Sequence, residues 1–438
     1  INFTNLFVQA AELTMLSSAL VFVIILAEID LSAGVTAGVA MAVFIQLIKA
    51  WHWNWILALG AGMIVGLLIG WVIGFMVAKI GVPSFVVTLA FFLGFQGMQL
   101  VLLGEGGVYR VEVPAVIAIM NSNLPAWGGW LMLVVCAVAS FVFSVWDRGR
   151  RAKYDLVNKP FSMVIIRLAV LIVLGGLTIQ IMNQNRSQGA IPISGVPIVV
   201  PITIVIMAIA TFVLDRTKFG RHLYAVGGNP EAARRAGIKV TQIRTFAFII
   251  CAGLAVVSGV FHASRIGSVD GSAGHTIVLS GVASAVVGGV SLFGGRGRLA
   301  HAAIGALVIT MIDNGLGLLQ MPAGINFLVQ GGVLLLAATI DALARRRGGV
   351  VNRIDPSLAR DFVDGADHLS RSVGSRAGGG DGEVEQEGGV RMLTVFKYGL
   401  RPVRRPGDLG APLELRRVLA IEGAEQARVR ALFDRRAV

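Results

Sequence analysis

The sequence predicts an all-α fold, a polytopic transmembrane helical bundle with about ten to eleven membrane segments, some discontinuous, followed by a polar C-terminal tail. Three observations predict it. Hydrophobic residues make up 55% of the chain and charged residues only 14%, against roughly 25% charged in an ordinary soluble domain. The apolar residues fall in runs near the length of about 20 residues at which a helix crosses the hydrocarbon core. Lysine and arginine gather in alternate gaps between those runs.

The runs lie at 6–27, 31–49, 54–79, 84–103, 128–146, 163–183, 198–214, 245–261, 277–294, 300–319 and 324–343. Runs 31–49 and 277–294 are glycine-rich and are expected to be half-helices or re-entrant pieces. The chain opens at Ile1 without methionine, so an incomplete N-terminus lacking an earlier helix is expected.

Orientation follows from the cations. The gap 147–159 carries Arg148, Arg150, Arg151, Lys153 and Lys159. The stretch between runs 198–214 and 245–261 carries Arg216, Lys218, Arg221, Arg234, Arg235, Lys239 and Arg244. Arg296 and Arg298 sit in a short turn, and Arg345, Arg346 and Arg347 close the last run. The alternating gaps hold one arginine each: Arg110, Arg186 and Arg265. Basic gaps stay in the cytoplasm, so a multi-pass plasma-membrane protein with a cytoplasmic loop at about 215–244 and a cytoplasmic tail is expected. The membrane domain is read as 1–347 and the polar tail as 348–438, with disorder expected at 360–389 and a short amphipathic helix at 413–433.

The net charge of +13 sits largely in these loops and the tail, which argues against a nucleic-acid surface. Cys136 and Cys251 lie inside apolar runs and read as packing residues. The six histidines show no metal-ligand spacing, so neither cofactor nor metal is expected. The glycine-rich GGVSLFGGRGR is not a phosphate-binding P-loop, because no Gly-Lys-Ser/Thr follows. Its glycines read as close packing between half-helices, with Arg296 and Arg298 at the cytoplasmic end.

Ionisable groups at membrane depth are costly and face a cavity or a partner. Glu12, Glu28, Asp30 and Asp313 qualify. Asp30, before Leu31-Ser32, reads as the N-cap of a helix start or as a group lining a central path. Asp313 and Asn314 read equally as helix–helix hydrogen-bonding groups or as path residues. Thr88, Gln96 and Gln99 give one helix a polar face.

The stretch FGRHLYAVGGNPEAARRAGIK at 219–239 interrupts two apolar runs. Asn229 suits an N-cap, Pro230 the first helical position and Glu231 the first turn. The helix continues through Ala232, Ala233, Arg234 and Arg235, and Gly237 suits its stop. A partner groove that takes its exposed small residues and a merely solvated basic loop both fit these residues.

This stretch resembles the cytoplasmic coupling loop of ABC importer permeases, in the sugar-transporting branch that includes ribose and xylose permeases. ILAEIDLSAG (25–34), VPSFVVTLA (82–90), GGVSLFGGRG (288–297), MIDNGLGLL (311–319) and VQGGVLLLAATIDAL (329–343) resemble further motifs of that branch, so the likeness covers about residues 1–345. Ala27-Glu28 before Ile29-Asp30-Leu31-Ser32, the long basic gap at 147–159 and Ser264-Arg265 are similar to the xylose type. The resemblance implies a non-enzymatic permease of a bacterial inner membrane that carries a monosaccharide, D-xylose or a related pentose. It implies a separate ATPase that grips Asn229, Pro230, Glu231, Ala232, Ala233, Arg234 and Gly237, an external sugar-binding protein, and a second permease forming a homodimer in the lipid. Glu28, Asp30, Ser32, Thr88, Gln96, Gln99, Asp313 and Asn314 would then serve the path or its helix caps, with hydroxyl-bonding groups weak enough to release a sugar quickly. The alternatives are a proton-coupled sugar carrier using Glu28, Asp30 or Asp313, and an intramembrane enzyme, for which no catalytic set such as HExxH is present.

Overall fold

The computed structural model describes residues 2–104, 106–153, 160–185, 193–272 and 274–351. Lys159, Arg186 and the tail from 352, including the disorder and helix expected there, lie outside them. Residues Ile1–Asp341 form one compact unit and Ala342–Val438 a second, of which the described part is the end of the last helix.

The helices, in order, are α1 (Asn2–Ile24), α2 (Ala33–Lys49), α3 (Trp55–Phe75, continued by a π-turn at Met76–Ile80), α4 (Ser84–Leu103), α5 (Pro114–Asn121), α6 (Ala126–Lys153), α7 (Phe161–Met182), α8 (Val199–Arg216), α9 (Lys218–Gly228), α10 (Pro230–Arg235), α11 (Val240–Ile266), α12 (Ile277–Val287), α13 (Leu299–Leu318) and α14 (Ala323–Val351). Two short strands, β1 (Val108–Arg110) and β2 (Ser268–Asp270), pair antiparallel with Tyr109 opposite Val269.

Among the described residues, nine helices are long and apolar enough to cross a membrane. The two apolar runs that fall short are the glycine-rich ones. Helix α2 has 17 residues and α12 has 11, so at about 1.5 Å per residue neither matches the hydrocarbon thickness of about 30 Å. Each begins after non-helical residues, 25–32 for α2 and 274–276 for α12.

The bundle has an inside and an outside. In α1, 83% of the apolar window is buried, and in α14 none of it is. Around α1 lie α11, α12 and α13, and α11 also packs on α2 and α3. Along α3, Gly62, Gly66, Gly70 and Gly74 recur every fourth residue and are all buried, a small-residue stripe facing α2 and α11. Helices α6 and α7 pack on one another and present their other faces outward, with only 17% and 6% of their apolar windows buried.

Hydrogen bonds divide the loops between two ends. At one end β1 joins β2, Val111 N donates to Gly267 O at 2.9 Å, Leu124 N donates to Val196 O at 2.8 Å, and Lys49 pairs with Glu112 at 2.7 Å. These are the loops poor in cations. At the other end Arg216 pairs with Asp147, Arg244 with Glu28, and Tyr224 with Gly297. These are the basic loops, so the charge asymmetry of the sequence is an asymmetry of the folded molecule.

Three details depart from the sequence reading. Helix α6 runs through Lys153 and takes in the first part of the basic gap, because Asp147 and Arg151 make an i,i+4 pair on it. The polar stretch after α8 holds two helices rather than one, since Thr217 caps α9 through Gly220 N before Asn229 starts α10. Helix α5 and the β1–β2 ribbon carry no clear period in sequence.

Candidate functional site

The site is built on α9 and α10, at the basic end. Asn229 Oδ1 accepts from Glu231 N at 3.1 Å and Ala232 N at 3.0 Å, Pro230 takes the first helical position, and Glu231 pairs with Arg234 at 2.9 Å. Gly237 adopts φ +82°, and Ile238 N donates back to Ala233 O, closing the helix with a left-handed turn. Glu231, Ala232, Arg234 and Gly237 are exposed. Ala233 is not: it is 4% exposed and belongs to the main core with Leu223 and Val226. The Ala-Ala pair therefore divides, one residue outward and one anchoring the helix, which corrects the reading of both as exposed.

The anchor continues into the bundle at Gly227. A Cβ there would lie 1.9 Å from Ile25 O and 3.1 Å from Gly295 N, so three backbones meet without room for a side chain. Gly295 N donates to Ile25 O at 2.8 Å, and Tyr224 Oη donates to Gly297 O at 2.7 Å. The GGVSLFGGRG stretch is thus a turn after α12, packed between the end of α1 and α9. Burial pushes the Tyr224 phenol up to about 12, above the usual 10. A raised folded value means the contribution is whole below pH 10 and is lost as pH rises through about 12. Tyr224→Phe should cost about 1 kcal/mol of stability and remove the tyrosine absorbance step near pH 12. A variant whose tyrosine titration matches the parent's would contradict this.

From Ile25 the chain enters the unwound segment 25–32, with Ala27 at φ +59°. Non-helical backbone at membrane depth needs polar partners; side chains from α4 and the segment itself supply them, while α11 meets the segment's carboxylates. Thr88 Oγ1 donates to Ile29 O at 3.2 Å, and Ile29 N donates to Ser84 Oγ at 3.4 Å. One helix further in, Gln99 Nε2 donates to Val35 O at 3.2 Å. Glu28 pairs with Arg244 at 2.9 Å. Asp30, 2% exposed, accepts from Ser32 N at 2.9 Å and Ser32 Oγ at 2.6 Å, and Cys251 Sγ donates to its other oxygen at 3.6 Å. Ser32 holds the N-cap position of α2 without a side-chain cap, so Asp30 closes an Asx turn two residues before it. Gln96 is half-buried on α4 and does not join this group.

Asp313 lies elsewhere. Gln330 Nε2 donates to Asp313 Oδ1 at 2.6 Å and Ser280 Oγ donates to Gln330 Oε1 at 2.8 Å, which ties α12, α13 and α14 together. Asn314 is half-buried beside it.

A further cluster was only partly legible. Glu12, 2% exposed on α1, meets His262 Nδ1 and Arg265 Nε of α11, both at 2.8 Å. Ser258 Oγ donates to Glu12 O at 3.0 Å. The cluster walls a cavity between α1, α2, α11 and β2, near the cation-poor end. The i,i+3 spacing of His262 and Arg265 was a readable signal, but the partner lies some 250 residues away.

The residues from 2 to 338 match the family model described as the branched-chain amino acid transport system permease component. The chain belongs to this permease family. It is similar to the xylose transport system permease protein XylH of Escherichia coli (strain K12), 36% identical over 352 residues, which are 79% of this chain and 86% of that protein. It is 32% identical over 348 residues to the XylH of Haemophilus influenzae, covering 79% and 90% of the two chains. The ribose import permease RbsC of Escherichia coli (strain K12) is 28% identical over 341 residues, 78% of this chain and 85% of that one. No solved structure matches. The chain is a multi-pass inner-membrane permease component of an ABC sugar transport system, and these relatives are transport permeases rather than enzymes.

Proposed function

We propose that this permease imports a monosaccharide, D-xylose or a related pentose, as a homodimer served by an external sugar-binding protein and driven by a separate ATPase that grips α10. The observation that carries the reading is the pairing of an exposed helix with a buried anchor. Glu231, Ala232, Arg234 and Gly237 face out, while Ala233 of α10 is buried in the core and Gly227 of α9 packs against Ile25. A displacement of α9 and α10 therefore bears directly on the end of α1 and on the unwound segment leading to Asp30. Glu28, Asp30 and Ser32 of that segment, with Thr88 of α4, hold the start of the short helix α2, at the kind of broken helix where other transporters bind their substrates. Gln96 and Gln99, and Asp313 with Asn314, are assigned to the walls and supports of the path. The sugar assignment rests on the likeness to XylH.

Co-expression with the sugar-type ATPase of the same source tests the coupling. The pair should co-purify in mild detergent, and Glu231→Arg should lower the recovered ATPase at least tenfold, since it places a third cation in α10 and removes the Arg234 pair. Full recovery with the variant removes α10 from the interface. A well-folded permease that retains no ATPase in either form favours a carrier acting alone.

A further inference from the structure

We infer, on the ATPase coupling proposed above, that α11 carries displacements of α10 across the membrane to the outward face, and that Ser264 is the positioning residue that fastens α5 to it. Helix α11 has 27 residues and no proline. At about 1.5 Å per residue it runs unbroken for about 40 Å, longer than the hydrocarbon core of about 30 Å. At its basic end residues 236–239 join it to α10. Ile238 N donates to Ala233 O at 3.0 Å, and Ala233, Val240 and Ile243 are buried in the same core cluster. A movement of α10 therefore pulls on the first turn of α11. Arg244 with Glu28 and Arg265 with Glu12 brace α11 against α1 and the segment that follows it, one pair near each end. A rigid element fixed in this way can couple distant sites.

At the cation-poor end the load passes to α5. Ser264 is fully buried. Its Oγ accepts from Met120 N at 3.1 Å and donates to Ile117 O at 3.2 Å, and its own carbonyl accepts from Asn121 Nδ2 at 2.7 Å. Among the described residues, every hydrogen bond between α5 and another helix ends on Ser264. Three residues on, Gly267 closes α11 with φ +76°, its carbonyl takes Val111 N, and β2 pairs with β1. The arginine of the Ser264-Arg265 pair serves the Glu12 cluster, and its serine holds α5.

Hydrogen–deuterium exchange of the full chain in complex with the sugar-type ATPase tests this, because exchange reads local opening of each helix. The complex is compared without nucleotide and trapped with ATP and vanadate. Residues 231–237 should be protected by the bound ATPase, and exchange at 114–121 should differ about fivefold or more between the two states. Ser264→Ala should bring that difference to within about twofold while ATPase recovery and protection of 231–237 stay unchanged. Ser258→Ala removes another buried hydroxyl of α11, which donates to Glu12 O, and should leave the difference at α5 intact. Asn121→Ala cuts the tie from the exposed side, where folding is not at risk, and should at least halve the difference. Three results overturn the inference and leave the ATPase coupling standing: a difference that persists in both Ser264→Ala and Asn121→Ala, an equal loss in Ser258→Ala, or a parent complex protected at 231–237 with no change at 114–121. Absence of protection at 231–237 in the parent overturns the coupling and the inference together.

Discussion

Gly227→Val should lower stability by about 3 kcal/mol or more and detach α9 and α10 from the bundle. The added Cβ would stand 1.9 Å from Ile25 O, and no rotamer moves a backbone carbonyl. Either α9 lifts away, exposing Leu223 and Val226, or the Gly295–Ile25 hydrogen bond breaks. Gly228 provides the control one residue along. A Cβ there meets nothing within 4 Å, so Gly228→Ala should change stability by less than about 0.5 kcal/mol. Thermal unfolding of both variants in the same detergent, with ATPase co-purification as second readout, separates them. Equal melting of the two would mean that the junction carries no strain, and the transmission route through Ile25 would fall with it.

Glu12→Ala should cost about 3 kcal/mol. Removing one partner of a buried ion pair leaves the other charge without compensation, for which about 3–5 kcal/mol is typical. His262 and Arg265 keep some contact with solvent, with 24% and 35% of their side chains exposed, so the loss belongs at the lower end. The double variant Glu12→Leu/Arg265→Met should recover part of it, because the guanidinium left without its carboxylate is removed as well. Thermal unfolding of single and double variants measures the coupling. Additive losses would show that the carboxylate and guanidinium act independently.

The helix α10 was readable because its signals are local. Asn229, Pro230, Glu231 and Gly237 act within one or two turns, through caps and a left-handed stop, and each needs only its immediate neighbours. The division of Ala232 from Ala233 was not readable, since a six-residue helix is too short to show a face. The polar side of α4 was visible as residue types, yet its use was not. Thr88 satisfies the backbone carbonyl of Ile29 in the unwound segment, and no pattern in sequence says that this carbonyl lacks a helical partner. Asp313 had a legible neighbour in Asn314, whereas its bond runs to Gln330 on the next helix.

The sequence by itself determined the membrane class, the eleven apolar elements, the two that fall short of a span, the basic end and the helix opened by Asn229 and Pro230. Each of these depends on hydropathy, charge count or backbone chemistry summed over neighbouring residues, and such sums need no knowledge of the fold. Only the tertiary structure decided which helix is central, that Gly227 meets Ile25 and Gly295, that Asp30 meets Cys251, and that Glu12 closes on His262 and Arg265. In lipid the helices gain little from apolar burial against one another. Their arrangement is set by small-residue contacts and a few hydrogen bonds or ion pairs between distant positions, and a pairing of that kind leaves no periodic trace along the chain.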